Sequence, residues 1–384
     1  MTEQQTEIAA RAEPTQDAGS RAAAAGAASY QQLIWRKFRK HRLATFGGMV
    51  TLVLYLIAVF AEFIAPFAPD TYASTYTYAP PQPLHLIDQT DDGLRLRPYV
   101  NGYTVEIDYN AGRRTFVVDP EVKHPVGFLV AGDAYKLLGF INTNVHLVGP
   151  LNEGDPMYLL GADRLGRDML SRTVYGTRIS LSIGLIGVAL SLFLGVLLGG
   201  ISGYVGGATD NVIQRVIEFL QSIPSIPLWI GLAAAIPSDI PPLQAYFLIT
   251  IILSVLGWTG LARVVRGKFY ALKTEDFIEA ARLDGCSGFR IIMHHMVPSF
   301  SSHIIAVVTL AIPGMILAET SLSFLGIGLR PPTVSWGVLL QEAQNIRAIS
   351  TAPWLFTPGV AVVITVLMMN FLGDGLRDAA DPYA

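Results

Sequence analysis

The chain has 384 residues, 51% of them apolar and only 15% charged, with a formal net charge of -3 and a single cysteine. Soluble domains are also about half apolar but carry about 25% charged residues, so the charge deficit argues against a soluble enzyme. A near-neutral balance excludes a global basic field for nucleic acid, and the lone Cys286 excludes an intrachain disulfide framework and a cysteine-rich metal site.

Residues 1–29 are polar and alanine-rich, with too few large apolar side chains to offset the entropy of ordering, and read as a disordered cytoplasmic leader. Residues 30–65 open with a basic amphipathic segment, in which Leu33, Ile34, Trp35 and Phe38 are interleaved with Arg36, Lys37, Arg39, Lys40 and Arg42. An apolar run from Leu43 to about Ala65 follows, long enough for a first transmembrane helix, which needs about 20 residues. Basic residues beside a span are retained in the cytoplasm, so the N-terminus is expected inside. Glu62, near the outer end of the run, reads as an interfacial carboxylate.

Residues 66–158 hold no span. Leu94–Val100, the pair Asn101-Gly102 and the alternating Tyr103, Val105, Ile107 and Tyr109 predict a hairpin with a two-residue turn. Asn110-Ala111-Gly112 supplies a second turn before Arg113, and Val126–Val130 and Ala134–Phe140, separated by Ala131-Gly132-Asp133, extend the sheet. The expectation is a β-rich extracytoplasmic domain inserted after the first span.

Residues 159–384 read as a five-helix core. The predicted spans are Ile179 to Ile201, studded with glycine and serine for close helix contact; Val216 to Ile236, distorted at Pro224 and Pro227; Tyr246 to Ala262; His303 to Thr320; and Gly359 to Leu372. The fold class is therefore an all-α polytopic membrane protein of six transmembrane helices, with the β-rich domain inserted after the first. An even count returns the C-terminus to the cytoplasm and leaves 263–299 as a cytoplasmic loop carrying Arg263, Arg266, Lys268, Lys273, Arg282 and Arg290. Arg164, Arg167, Arg172 and Arg178 lie on the outer side against the charge rule, which is weak beside long translocated segments.

Within that loop, Thr274 is the expected N-cap of a short helix, Glu275 and Asp276 suit its positive end, and Gly285 suits a left-handed stop. Phe277, Ala280, Ala281 and Asp284 share one face at i, i+3, i+4, i+7 spacing, where the alanines let another surface approach closely. A second amphipathic segment, Phe289 to Val297, ends at Pro298. From the residues alone this stretch reads as a solvated loop or as a docking surface, the loop being the simpler reading. The chain carries no G-x-x-x-x-G-K-[ST] phosphate loop, since Gly267-Lys268 is followed by Phe269, and no G-x-S-x-G elbow or H-E-x-x-H helix. His294 and His295 point about 100° apart on a helix and, with His303, read as packing residues rather than metal ligands.

Glu279-Ala280-Ala281, Gly285 after three residues, and His295-Met296-Val297-Pro298 after nine more resemble the EAA signature of ABC importer permeases. His295 in that tail resembles the oligopeptide/dipeptide (Opp/Dpp) branch. So do Leu160-Gly161-Ala162-Asp163-Arg164-Leu165-Gly166-Arg167-Asp168 before Ser171-Arg172, and the terminal Gly373-Asp374-Gly375-Leu376-Arg377-Asp378-Ala379-Ala380-Asp381-Pro382. Together they are similar to the C-type permease subunit of an Opp/Dpp importer; the long insert at 66–158 departs from the shorter first loop common in that branch.

The resemblance implies a permease, not an enzyme: half of a translocation path for peptides, coupled to ATPase subunits through Glu279, Ala280, Ala281, Asp284, Gly285 and Pro298. It implies no cofactor in this chain, with ATP and Mg bound by partners. Those partners are a homologous permease subunit forming a heterodimer, two ATP-binding subunits, an extracytoplasmic substrate-binding protein and membrane lipid, with no nucleic acid. The implied location is the bacterial cytoplasmic (inner) membrane. Related importers carry oligosaccharides, opines or nickel. Two other classes compete. An ion-coupled secondary transporter usually needs midplane ionisable residues, whereas Glu319 sits near the outer end of span five. A membrane sensor would need a cytoplasmic output domain.

Overall fold

The computed structural model describes residues 30–90, 93–108, 113–237 and 239–380. The leader at 1–29 and the turn expected at Asn110-Ala111-Gly112 lie outside the described residues.

Helix α1 (Tyr30–Lys40) meets α2 (Arg42–Val59) at His41, whose Nδ1 accepts the Ala44 amide at 3.1 Å and so caps the new helix. The basic amphipathic segment buries Phe38 with Ala44 against Ala379, docking it on the last helix. The first span is not one continuous helix to Ala65. It breaks at Phe60 and resumes as the single turn α3 (Ala61–Ile64).

The insert folds as an antiparallel four-stranded sheet in sequence order, β1 (Leu84–Thr90), β2 (Gly93–Asp108), β3 (Arg113–Leu137) and β4 (Ile141–Pro150). Asn101-Gly102 is not the predicted turn. It is a bulge inside β2, where the partner jumps from Lys123 to Asp119, and the chain continues straight through it. Asn-Gly favours a turn only if neither flank has a longer partner, and here β3 pairs with β2 on both sides of the bulge. Ala131-Gly132-Asp133 is likewise a register shift within β3, not a gap between strands. Strand β4 carries little alternation and was not anticipated.

Asp168 caps the 37-residue α4 (Met169–Val205), its carboxylate accepting Ser171 N at 2.7 Å and Ser171 Oγ at 2.6 Å. This helix starts ten residues before the expected Ile179 and reaches about 55 Å at 1.5 Å per residue. Two arginines that strained the charge rule are therefore inside it, and both are paired. Arg178 grips Glu62 at 2.5 Å and donates to the Ala58 carbonyl at 2.8 Å, while Arg172 lies 3.6 Å from Asp163, which also holds Arg167 at 2.7 Å. Glu62 is thus an ion-pair partner and not a free interfacial carboxylate.

The expected third span is a bent pair: α5 (Gly207–Ser222) and α6 (Ser225–Ala234) meet at 87° around Pro224. Next come α7 (Pro242–Leu272), α8 (Asp276–Leu283), α9 (Ser301–Phe324), α10 (Trp336–Gln341) and α11 (Thr357–Ala380). Among the described residues, five helices are long and apolar enough to cross a membrane, or six if the bent pair counts as one. Helix α7 runs ten residues beyond the expected Ala262, so the polar loop is shorter than 263–299. Helices α4 and α7 pack so closely that a Cβ at Gly199 would lie 2.8 Å from the Ala262 Cα. The first residues of α4 touch the sheet end, where Ser171 Oγ accepts the Phe67 amide at 3.1 Å. The last touch the α8 region, so α8 and the sheet lie at opposite ends of the bundle.

Candidate functional site: the exposed helix at the end of the bundle

Helix α8 starts one residue later than predicted. Glu275, not Thr274, holds the extended N-cap conformation, and no side chain caps it. Its other end behaves as the glycine requires. Gly285 has φ +76°, its amide donates to the Arg282 carbonyl at 3.0 Å, and the Cys286 amide reaches back to Ala281 at 3.1 Å. That pair of bonds is a Schellman motif, and it satisfies carbonyls that a free helix end would leave open.

The two faces of α8 differ from the expected grouping. Ile278 and Ala281 are buried, in a cluster with Val265 and Phe269 of α7 and with Ile291, Met296, Phe300 and Ile304. Ala281 therefore belongs to the bundle and not to the open face with Phe277, Ala280 and Asp284. The exposed side carries Phe277, Glu279, Ala280, Leu283, Asp284 and Gly285, with Leu283 at 88% exposure. Phe289 stands beside it, 67% exposed. After Gly288–Arg290 the chain makes a π-helical turn, Ile291–Met296, that ends at exposed Pro298. This is a short helix with one side cemented into the bundle and the other showing two apolar side chains around an alanine and a glycine. A surface of that shape suits a complementary groove on another protein.

Two connections that no local spacing reveals tie α8 to the rest. The Arg282 guanidinium lies 5.4 Å over the ring of Tyr204, the penultimate residue of α4. Six residues along, Asp210 of α5 takes a bidentate pair from Arg266 of α7 at 2.5 and 2.6 Å, together with Ser202 Oγ at 2.5 Å and Tyr270 OH at 3.2 Å. A displacement of α8 is therefore felt by α4, α7 and α9 through packed contacts. Among the described residues, no three His, Cys, Asp or Glu side chains gather as metal ligands.

At the other end of the bundle, a cavity of about 480 Å³ lies between the sheet and the 66–76 and 149–168 segments. Tyr72, Tyr76, Tyr158, Asp133, Glu153 and Asp155 contribute to its lining. Burial pushes the Asp168 carboxyl at its floor up to about 6, against the lowering effect of the hydrogen bonds from Ser171.

Five to six apolar helices around a glycine-packed core, with a packed-and-exposed helix at one end, define a helical, multi-pass membrane permease. Residues 195–383 match the family described as binding-protein-dependent transport system inner membrane component, and residues 29–81 match the N-terminal TM domain of oligopeptide transport permease C. The chain belongs to this family of ABC transporter permeases, in its Opp/Dpp C-subunit branch. It is 40% identical over 240 residues to the oligopeptide transport system permease protein OppC of Haemophilus influenzae, covering 62% of this chain and 74% of that protein. It is 31% identical to the dipeptide transport system permease protein DppC of Lactococcus lactis subsp. cremoris, over 93% of this chain and 92% of that one. A solved inward-facing MetNI methionine ABC transporter aligns with a TM-score of 0.42 at 18% identity, over 56% of this chain and 98% of that chain.

Proposed function

We propose that the chain forms half of a translocation path for peptides in the bacterial inner membrane, paired with a homologous permease subunit as a heterodimer. An extracytoplasmic binding protein delivers cargo, and two separate subunits bind ATP and Mg and hydrolyse the nucleotide. Both termini face the cytoplasm and the sheet faces outward, as a docking surface or lid. The peptide assignment follows the names of the relatives, which are oligopeptide and dipeptide permeases.

The observation that carries the coupling proposal is the two-sidedness of α8. Glu279, Ala280, Asp284 and Gly285 are exposed for an ATPase groove, Pro298 closes the following turn, and Ala281 faces inward to pass the movement on. Nucleotide-driven closure of the ATPases shifts the bundle between inward-open and outward-open states. The test is uptake of a labelled dipeptide and ATP hydrolysis by the reconstituted complex carrying Glu279→Lys or Gly285→Pro. Both variants are expected to lose transport and binding-protein-stimulated hydrolysis while the complex still assembles; retention of both activities refutes the coupling role. Uptake that persists without ATP and collapses with the proton gradient refutes the ABC reading itself.

A further inference from the structure

The β3–β4 hairpin ends in Lys136-Leu137-Leu138-Gly139-Phe140-Ile141, a tip without a polar residue after the lysine. Leu138 and Gly139 have φ of +53° and +83°, and the Phe140 amide donates to the Leu137 carbonyl at 3.3 Å. Two central residues with positive φ make a type I′ turn, whose first central position ordinarily goes to Asn, Asp or Gly. A leucine there pays the steric cost of the left-handed region without the local hydrogen bond that lets Asn or Asp tolerate it. Its side chain and those of Phe140 and Ile141 are 46%, 73% and 46% exposed. In water, this turn has the wrong residue in a strained position and three apolar groups unburied.

The placement of the hairpin resolves this. Strand β4 is pinned where His146 Nδ1 meets the Ala65 carbonyl at 2.5 Å, directly after α3, and Asp133 Oδ2 accepts the Ala68 amide at 2.8 Å. From there both strands pack along α3, and Tyr135 comes within electrostatic range of Glu62, a turn before Ala65. The hairpin thus points back towards α2. Five strand residues from His146 to Ile141 cover about 16 Å. Six residues back from Ala65 to Val59, the last of α2, cover about 9 Å as helix. The tip accordingly reaches the level where α2 exposes Leu56, Val59 and Phe60, and it continues that apolar band.

We propose that the Leu137–Ile141 turn dips into the membrane leaflet around the sheet-side end of α2, with lipid acyl chains as its partner and Lys136 at the headgroup level. The turn then acts as a second anchor for the sheet, which is otherwise joined to the bundle through its flanking segments and α3. The proposal rests on α2 spanning the membrane. It is independent of peptide as cargo and of α8 as the coupling element.

The test uses the full chain in its assembled complex, with Cys286→Ser removing the one native thiol. Leu138→Cys and Phe140→Cys are labelled with an environment-sensitive fluorophore and reconstituted into phosphatidylethanolamine/phosphatidylglycerol vesicles containing acyl-chain nitroxide lipid. Leu52→Cys on exposed α2 is the lipid reference. Leu96→Cys, 83% exposed on β2, is the water reference. Both tip labels are expected to show blue-shifted emission and loss of intensity with nitroxide lipid, as at Leu52, and to resist aqueous iodide. Emission and iodide quenching like those at Leu96 overturn the proposal. So does shielding from both quenchers, which would put protein, not lipid, against the turn. Because both positions are exposed, labelling there does not threaten folding, and agreement between the two separates position from dye.

Discussion

Replacing Glu319 tests how the bundle is held at the sheet end. Its carboxylate is fully buried and accepts from Ser335 Oγ at 2.7 Å, Ser323 Oγ at 2.9 Å and Ser180 Oγ at 3.2 Å. Each serine oxygen also accepts a backbone amide: Trp336 N at Ser180, Leu329 N at Ser323 and Val338 N at Ser335. Each hydroxyl has one proton to give, and all three protons converge on Glu319. In Glu319→Ala those three donors lose their acceptor in a buried site. At about 1–3 kcal/mol for each unsatisfied group, the lower bound is about 3 kcal/mol. The groups share one acceptor, so the terms do not simply add. A loss of that size corresponds to a fall in melting temperature of about 6 °C or more. Glu319→Gln keeps a carbonyl acceptor and is expected to lose much less. The assay is thermal unfolding of the purified complex in detergent, followed by loss of the monodisperse gel-filtration peak. Glu319→Ala melting at or above Glu319→Gln would refute the reasoning, because acceptor capacity would then not be what the site needs.

Ala280→Glu and Ala281→Glu separate the two faces of α8: the first is expected to melt like wild type yet block ATPase stimulation, the second to lower the melting temperature by burying a charge beside Ile278. Equal melting temperatures would contradict this orientation. Gly199→Val places a side chain against the Ala262 backbone and is expected to prevent assembly, whereas Gly260→Val, with nothing within 4 Å, is tolerated; immunoblotting of membrane fractions reads the difference. Asp168 has its carboxyl pushed by burial from the ordinary 3.8 to about 6, so the folded state holds its proton more tightly than the unfolded chain does. Its contribution is greatest below about pH 4 and declines as pH rises to about 6. Melting of wild type relative to Asp168→Asn is therefore expected to fall across that window; a rise would show that the caps from Ser171 outweigh burial.

Much of this architecture is written in local patterns. The apolar runs, the basic cluster before α2 and the spacing Glu279-Ala280-Ala281 to Gly285 are all short-range features, and a stop such as Gly285 needs only its own backbone freedom. The errors came where a local signal competed with a distant partner. Asn101-Gly102 has turn chemistry, but β3 continues to pair beyond it, so the ladder carries the chain through as a bulge. Ala281 shares a helical stripe with Ala280, yet the side of α8 it lies on is set by where Phe269 and Met296 stand. Arg172 and Arg178 looked misplaced because their partners, Asp163 and Glu62, come from segments that no spacing rule joins to them.

By itself the sequence determined the class of the protein: the composition of the spans decides which segments leave water, and motif spacing decides which loop resembles a coupling element. Only the tertiary structure decided which charges are paired, which face of α8 is open and where the β3–β4 turn points. Partition into a membrane depends on a residue's own transfer energy summed over its neighbours in sequence, whereas pairing and facing depend on groups brought together from a hundred or more residues apart.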